Sequence, residues 1–357
     1  MHMRKIKIES GKKILNALRP RRMILPILIG LGGAAYMLFR NFDADRFSFF
    51  EWSFAAAVWI FVAILMMIIR DVAYIVRIKL LTDNKLSWRQ AFEIIMLWEF
   101  SSAISPSVVG GIAPAIYFLY KEKLSAGQST AVVLAAIFLD ELFFILIIPI
   151  LLLFFGNNIF PNEELLHFSQ LKYYFWIGYG LIFFYTLLLS YAIFINPHII
   201  KRLLKWIFRF PLIKRWQENI CVLSDQLIET SKWFKTKSFF FWSKSFLATF
   251  VSWTGRYFVV NFMFMAFFRG SLSWSEHFLI YARQLSMWIL LLISPTPGGS
   301  GLAEFFFSDF LRDFIPNLSW VIPMALLWRL ISYYPYLFIG AIILPRWVNR
   351  VFKKKRD

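Results

Sequence analysis

The sequence predicts an all-α polytopic membrane protein, and three observations carry the prediction. Six apolar runs are long enough for a helix to cross a bilayer, which takes about 20 residues. Lys and Arg crowd into every second gap between those runs and avoid the others. Two further apolar regions are each interrupted in the middle by Pro, Gly and Ser. Composition agrees: of 357 residues 59% are hydrophobic, 20% aromatic and only 17% charged, outside the range of soluble domains. The ten-residue alternating segments of an outer-membrane barrel are missing.

Taken in order, the first run, 23–39, follows a basic N-terminus that lacks a small-residue cleavage pattern, so it reads as a retained span. A second crossing follows at 50–69, then the first interrupted region at about 90–120. Crossings at 126–155 and 173–195 lead into 198–237, the one sizeable extramembrane piece. There "HIIKRLLKWIFRF" mixes Lys and Arg with Trp, Phe, Ile and Leu before Pro211. An amphipathic helix lying on the inner membrane surface fits that mixture, and so does a plain connecting helix. A crossing at 238–268, the second interrupted region at about 278–310 and a last crossing at 319–344 complete the chain. No composition shift marks a second domain, so 1–357 is expected to be a single integral membrane domain.

Charge sets the sidedness. Thirty of the 39 Lys and Arg fall in 1–22, 70–89, 121–123, 196–237 and 346–357, and five fall in the alternate gaps. Basic loops stay cytoplasmic, so both termini are expected inside, in a plasma (inner) membrane. The same distribution accounts for the net charge of +18 without nucleic acid, because the basic loops face an anionic leaflet.

The two interrupted regions are copies. Both open with Leu-Ser-Trp, at Leu86 and Leu272, and both reach Ile-Ser-Pro, with Ser105 and Ser294. Each then carries a glycine pair, Gly110–Gly111 and Gly298–Gly299, and a following alanine, Ala113 and Ala303. Four matches in one order indicate an internal duplication. Three crossings separate the copies, so the second is inverted. Arms of about 14–16 residues at 1.5 Å each reach about 21–24 Å, short of the roughly 30 Å core. The expected architecture is six full spans plus two re-entrant helical hairpins in an inverted repeat, an arrangement characteristic of transporters.

Backbone groups freed at such breaks must be covered by protein or line a cavity. Pro106, Pro295 and Pro297 lack an amide donor and disfavour helix before them. Gly110, Gly111, Gly298, Gly299, Ser300 and Gly301 either cradle an anion at a helix N-terminus or only let helices pack closely. Ionisable residues inside apolar runs signal function or pairing: Glu93, Glu99, Asp140, Glu141, Arg256, Arg283, Glu304 and Arg329. Glu304 reads as a helix-start carboxylate or as a coupling group. Arg329 reads as a phosphate ligand or as an ion-pair partner of Glu304 or Asp140. Asp140 and Glu141 point about 100° apart on a helix and are no obvious acid–base pair. One of them is expected at the cavity and the other paired with Arg256 or Arg283.

Catalytic and metal chemistry find little support. The single cysteine, Cys221, permits no disulfide framework, and His2, His167, His198 and His277 are scattered. Walker and nucleophile-elbow sequences are absent. No catalytic residue, metal or cofactor is expected.

"SPTPGGSGLAE", Ser294 to Glu304, resembles the P-x-P-G-G-x-G-x-x-E signature of the lysylphosphatidylglycerol synthase transmembrane-domain family, the flippase-like integral membrane proteins. The resemblance covers about residues 15–345. It places Pro295, Pro297, Gly298, Gly299, Gly301 and Glu304 on the motif and Arg329 on a recurrent arginine of the next span. The first copy departs from the family pattern, with Ile112, Ala113 and Pro114 where acidic and basic residues are usual. The family's cytosolic transferase domain is expected to be absent, so the family name is not an activity. The resemblance implies movement of a lipid, or a lipid-linked headgroup, between leaflets. Its partners would be membrane lipids with an anionic or phosphate-bearing headgroup. A membrane-embedded enzyme modifying a headgroup and a non-transporting partner of a separate synthase are the alternatives.

Overall fold

In the computed structural model of the protein, residues 53–105, 108–161, 170–196, 228, 231–268, 272–292, 296, 299 and 301–353 are described. Every regular element among them is helical. The expected span 23–39 and most of 198–237 lie outside these residues. Four helices are long and apolar enough to cross a membrane: Phe54–Leu81, Ala126–Ile159, Leu171–Ile195 and Leu318–Phe352. They match four of the expected crossings.

Helix α1, Phe54–Leu81, runs twelve residues past the expected end at 69. Ser53 caps it by accepting the Ala56 N–H at 3.2 Å. The extension carries Arg70 and Arg77 into the protein, where both are buried; they belong to a helix and not to a basic loop. Moving them out of the loop count leaves the charge asymmetry intact.

The fifth expected crossing is α6, Phe239–Phe267. It is long but not among the four most apolar helices, because its buried face is polar and small: Ser245, Thr249, Ser252, Gly255 and Asn261. That face packs against α1. Ser252 donates to the Arg70 carbonyl at 3.2 Å, and a methyl added at Gly255 would stand 3.0 Å from the Met66 carbonyl. Small residues and interhelical hydrogen bonds draw membrane helices together where hydrophobicity offers no drive.

The two interrupted regions share local structure. The first copy comprises α2, Trp88–Ile104, a 3-10 turn at Val108–Gly111, and α3, Ile112–Lys121. The second comprises α7, Trp274–Leu291, and α8, Leu302–Leu311. In each copy the two helices pack on each other. The Leu-Ser-Trp openings now have a physical cause. Ser87 and Ser273 are N-caps, each with a reciprocal capping box, from Gln90 and Glu276. The Ser273 backbone N–H and hydroxyl both reach Glu276 Oε2 at 2.7 Å and hold that exposed carboxyl below the usual carboxylate range. The second helix of each copy has only ten residues, about 15 Å, half of a hydrocarbon core.

The paired glycines serve different ends. At Gly110 and Gly111 an added methyl would run into Ser105 and Ser102, so the chain folds back onto α2. Gly299 and Gly301 instead have φ of 69° and 85°, a region that glycine enters at little cost.

Between the copies stand α4, Ala126–Phe155, α5, Leu171–Ser190, and α6. After the second come α9, Val321–Ser332, and α10, Tyr334–Lys353. Helix α10 lies along α2. Arg350 bridges Glu93 at 2.6 Å and also pairs with Glu122, which accepts from Trp347 at 2.8 Å. Gly340 of α10 faces the fully buried ring of Phe100, which an added methyl would overlap. Gly340→Ala is therefore expected to cost about 1–3 kcal/mol through overpacking. A thermal melt in detergent checks this, with Gly180→Ala as control, since nothing lies within 4 Å of a methyl there. Equal melting of the two variants would contradict it.

Candidate functional site

Both hairpins open onto one central cavity of about 550 Å3. Its wall takes Glu99 from α2, Ile112 from α3, Met287 from α7 and Ala303 from α8. Helices α1, α4, α6 and α9 add Arg77, Asp140, Glu141, Arg256 and Arg329. An aromatic floor keeps the shape. Trp288 stacks on Phe144 at 3.8 Å, and Trp253 meets Trp288 edge-on at 5.2 Å.

The charges sort by partner. Arg77 holds Asp140 through two nitrogens, at 2.5 and 3.2 Å, and donates to Thr249 at 3.0 Å. The Trp253 indole donates to Asp140 at 2.8 Å. Deeper, the fully buried Arg70 lies 2.6 Å from Glu99 and donates to Asp71 at 2.7 Å and to the Tyr336 hydroxyl at 2.9 Å. Arg329 pairs with Glu304 at 2.8 Å, and the other Glu304 oxygen accepts the Gly301 N–H at 2.6 Å. These pairs join α1 to α4, α1 to α2 and α10, and α8 to α9. Buried charges are tolerated only when compensated in this way.

Two charged groups at the cavity stand apart. Among the described residues Arg256 makes no hydrogen bond or ion pair; its guanidinium lies 5.7 Å over the Trp253 ring. Glu141 keeps Oε2 buried without a hydrogen-bond partner. Among the described residues, Arg256 and Glu141 thus line the cavity without a direct ion pair, although the Arg256 charge also acts on Glu99 through space.

The sequence-derived candidates fall into three groups, with Arg283 apart from them. Glu99, Asp140, Glu141, Arg256, Gly299 and Arg329 line the cavity. Gly301 and Glu304 stand behind it at the start of α8, and Ser105, Gly110 and Gly111 form the turn of the first copy. Pro106, Pro295, Pro297, Gly298 and Ser300 lie outside the described residues. Arg283 is elsewhere. It donates to the Asn158 and Phe310 carbonyls at 3.0 and 2.9 Å and pairs with Asp313 at 2.7 Å, tying α7 to the end of α8. The expected pairing of Asp140 or Glu141 with Arg256 or Arg283 does not form among the described residues: Asp140 pairs with Arg77, because α1 is longer than its apolar run. The α8 terminus already holds an anion, Glu304, and the Gly299 N–H is spent on the Thr296 carbonyl. Sequence reasoning missed Arg70, Arg77 and Tyr336. A signal existed: Arg70 and Arg77 stand seven apart in "RDVAYIVR", two helical turns along one face.

Broken helical pairs beside a largely apolar cavity that carries a few charged side chains define an all-α integral membrane protein. The chain belongs to the lysylphosphatidylglycerol synthase TM region family, which it matches over residues 14–340. It is 28% identical over 295 residues to a protein of Archaeoglobus fulgidus described as a UPF0104 membrane protein, covering 79% of this chain and 84% of that one. No solved structure matches.

Proposed function

We propose that the protein moves a lipid, or a lipid-linked headgroup, between the two leaflets of a membrane. The observation that carries the reading is the cavity shared by both hairpins, with Arg256 facing it and held by no hydrogen bond or direct ion pair among the described residues. A guanidinium that no carboxylate grips directly is a ready phosphate ligand, so the headgroup is phosphate-bearing. Arg256 takes the role that the sequence suggested for Arg329, which Glu304 occupies. The finer topology belongs to the same reading. Six spans and two re-entrant hairpins form an inverted repeat, both termini lie in the cytoplasm, and the membrane is the plasma (inner) membrane. The basic gaps and the ten-residue second helices support it. The two hairpins then reach the cavity from opposite faces, and alternate movement of either would admit a headgroup from one leaflet at a time.

The test is leaflet exchange in liposomes holding the purified chain, with labelled phosphatidylglycerol and labelled polyprenyl phosphate offered separately. Exchange of one class above protein-free liposomes is expected. Absence of exchange for both, with and without a proton gradient, would end this reading.

A further inference from the structure

We propose that the seam between α6 and α7 is a hydrated path, a file of bound water that joins the cavity to the membrane face where α7 begins. The ligand is water itself, and the inference holds whether or not a lipid crosses through the cavity.

The seam is built from polar residues at helical spacing. Helix α6 contributes Thr254, Tyr257 and Asn261, and α7 contributes His277, Tyr281 and Gln284. Each set recurs every three to four residues, the spacing of one helix side. The two helices pack on each other, and three contacts join the sets. Asn261 Nδ2 donates to the His277 carbonyl at 3.2 Å, and Gln284 Nε2 donates to the Tyr257 carbonyl at 3.0 Å. The Thr254 and Tyr281 hydroxyls lie 3.4 Å apart.

Four polar atoms of the seam are left over. Tyr257 Oη, Asn261 Oδ1, His277 Nδ1 and Gln284 Oε1 are buried, and among the described residues none has a hydrogen-bond partner. Tyr257, Asn261 and Gln284 are 3%, 2% and 0% exposed. Turning the amides over brings no relief, because both amide nitrogens already donate to carbonyls, Gln284 Nε2 to that of Ile280 as well. A buried polar atom without a partner is costly, and proteins meet such atoms with ordered water.

Spacing and chemistry both suit water. Tyr257 and Asn261, or His277 and Tyr281, stand one turn apart, about 6 Å along the helix axis. One water making two hydrogen bonds of about 2.8 Å spans that distance. Asn261 Oδ1 and Gln284 Oε1 can only accept, and a water donates twice; the Tyr257 hydroxyl can donate to a water in turn. The ends fit as well. Tyr257 lines the cavity. His277 lies in the first turn of α7, its ring 6.4 Å from that of the exposed Trp274. From His277 to Gln284 the path is about 10 Å long. A group entering the cavity displaces water, and the seam gives that water an exit separate from the hairpins.

The test is X-ray radiolytic footprinting of the full chain in detergent. Hydroxyl radicals made from bound water oxidise the side chains beside it, and mass spectrometry reads the rate at each residue. Tyr281 is the reporter, because it is buried on the seam and is not part of the cavity wall. Met263 and Phe264 of α6, each 0% exposed, are the dry controls. After correction for intrinsic reactivity, Tyr281 is expected to oxidise several-fold faster than either control. Gln284→Leu removes one acceptor and is expected to slow Tyr281 several-fold while leaving Met263 unchanged. Wild-type Tyr281 oxidising no faster than the controls would overturn the path. So would an undiminished Tyr281 rate in a Gln284→Leu protein that melts like wild type. Should that variant not fold, the wild-type comparison decides alone. Leaflet exchange is a separate readout: a dry seam leaves transport standing, and a hydrated seam without exchange keeps the path and removes transport.

Discussion

Arg256→Gln is expected to leave the protein folded and to slow lipid exchange about ten- to a hundredfold. A charge-assisted hydrogen bond is worth about 1.5–3 kcal/mol, and each 1.4 kcal/mol is a factor of about ten. The fold should survive because, among the described residues, Arg256 holds no carboxylate and no hydrogen bond; its contact is the Trp253 ring. Arg256→Lys should retain part of the rate. It keeps the charge and loses the planar fork that grips phosphate through two donors. The check is exchange by both variants in liposomes, with size-exclusion and thermal profiles matching wild type. Full exchange by Arg256→Gln would remove this residue from the site.

Arg77→Met is expected to do the opposite, losing the fold before any step of transport is tested. It strands Asp140 inside the bundle with the Trp253 indole as its remaining donor. Removing one partner of a buried pair costs about 3–5 kcal/mol, a large share of the stability of any domain. Asp140→Asn added to Arg77→Met should recover much of that loss, because a neutral amide carries far less desolvation cost than a carboxylate. The double-mutant cycle isolates the coupling. A double variant as unstable as the sum of the singles would mean that packing, and not the ion pair, holds α1 to α4. Together the two arginines separate a charge spent on the fold from a charge left for a ligand.

That separation marks the limit of what the sequence alone conveys. Spans, hairpins and their duplication are written in features of short range: apolar runs of bilayer length, prolines and glycines at breaks, Ser87 and Ser273 as caps. Each is set by a few neighbouring residues, so it can be read along the chain. Even so, α1 outran its apolar stretch, since an arginine ends a hydrophobic run in the sequence but not a helix when a carboxylate waits across the bundle. For the same reason Arg70, Arg77 and Tyr336 escaped notice. Their partners, among them Glu99 and Asp140, lie on other helices, and nothing local announces them.

The sequence by itself determined that this is a helical membrane protein with two interrupted apolar regions, because hydrophobic length, helix-breaking residues and capping are properties of contiguous segments. Only the tertiary structure decided the state of each buried charge. Glu304 and Arg329 stood out in the motif and proved to be held by each other, while Arg256 and Glu141 kept faces turned to the cavity. Coulomb interaction in a medium of low dielectric is strong but acts through space, so which charges cancel depends on how helices meet, and that is not encoded at any single position in the chain.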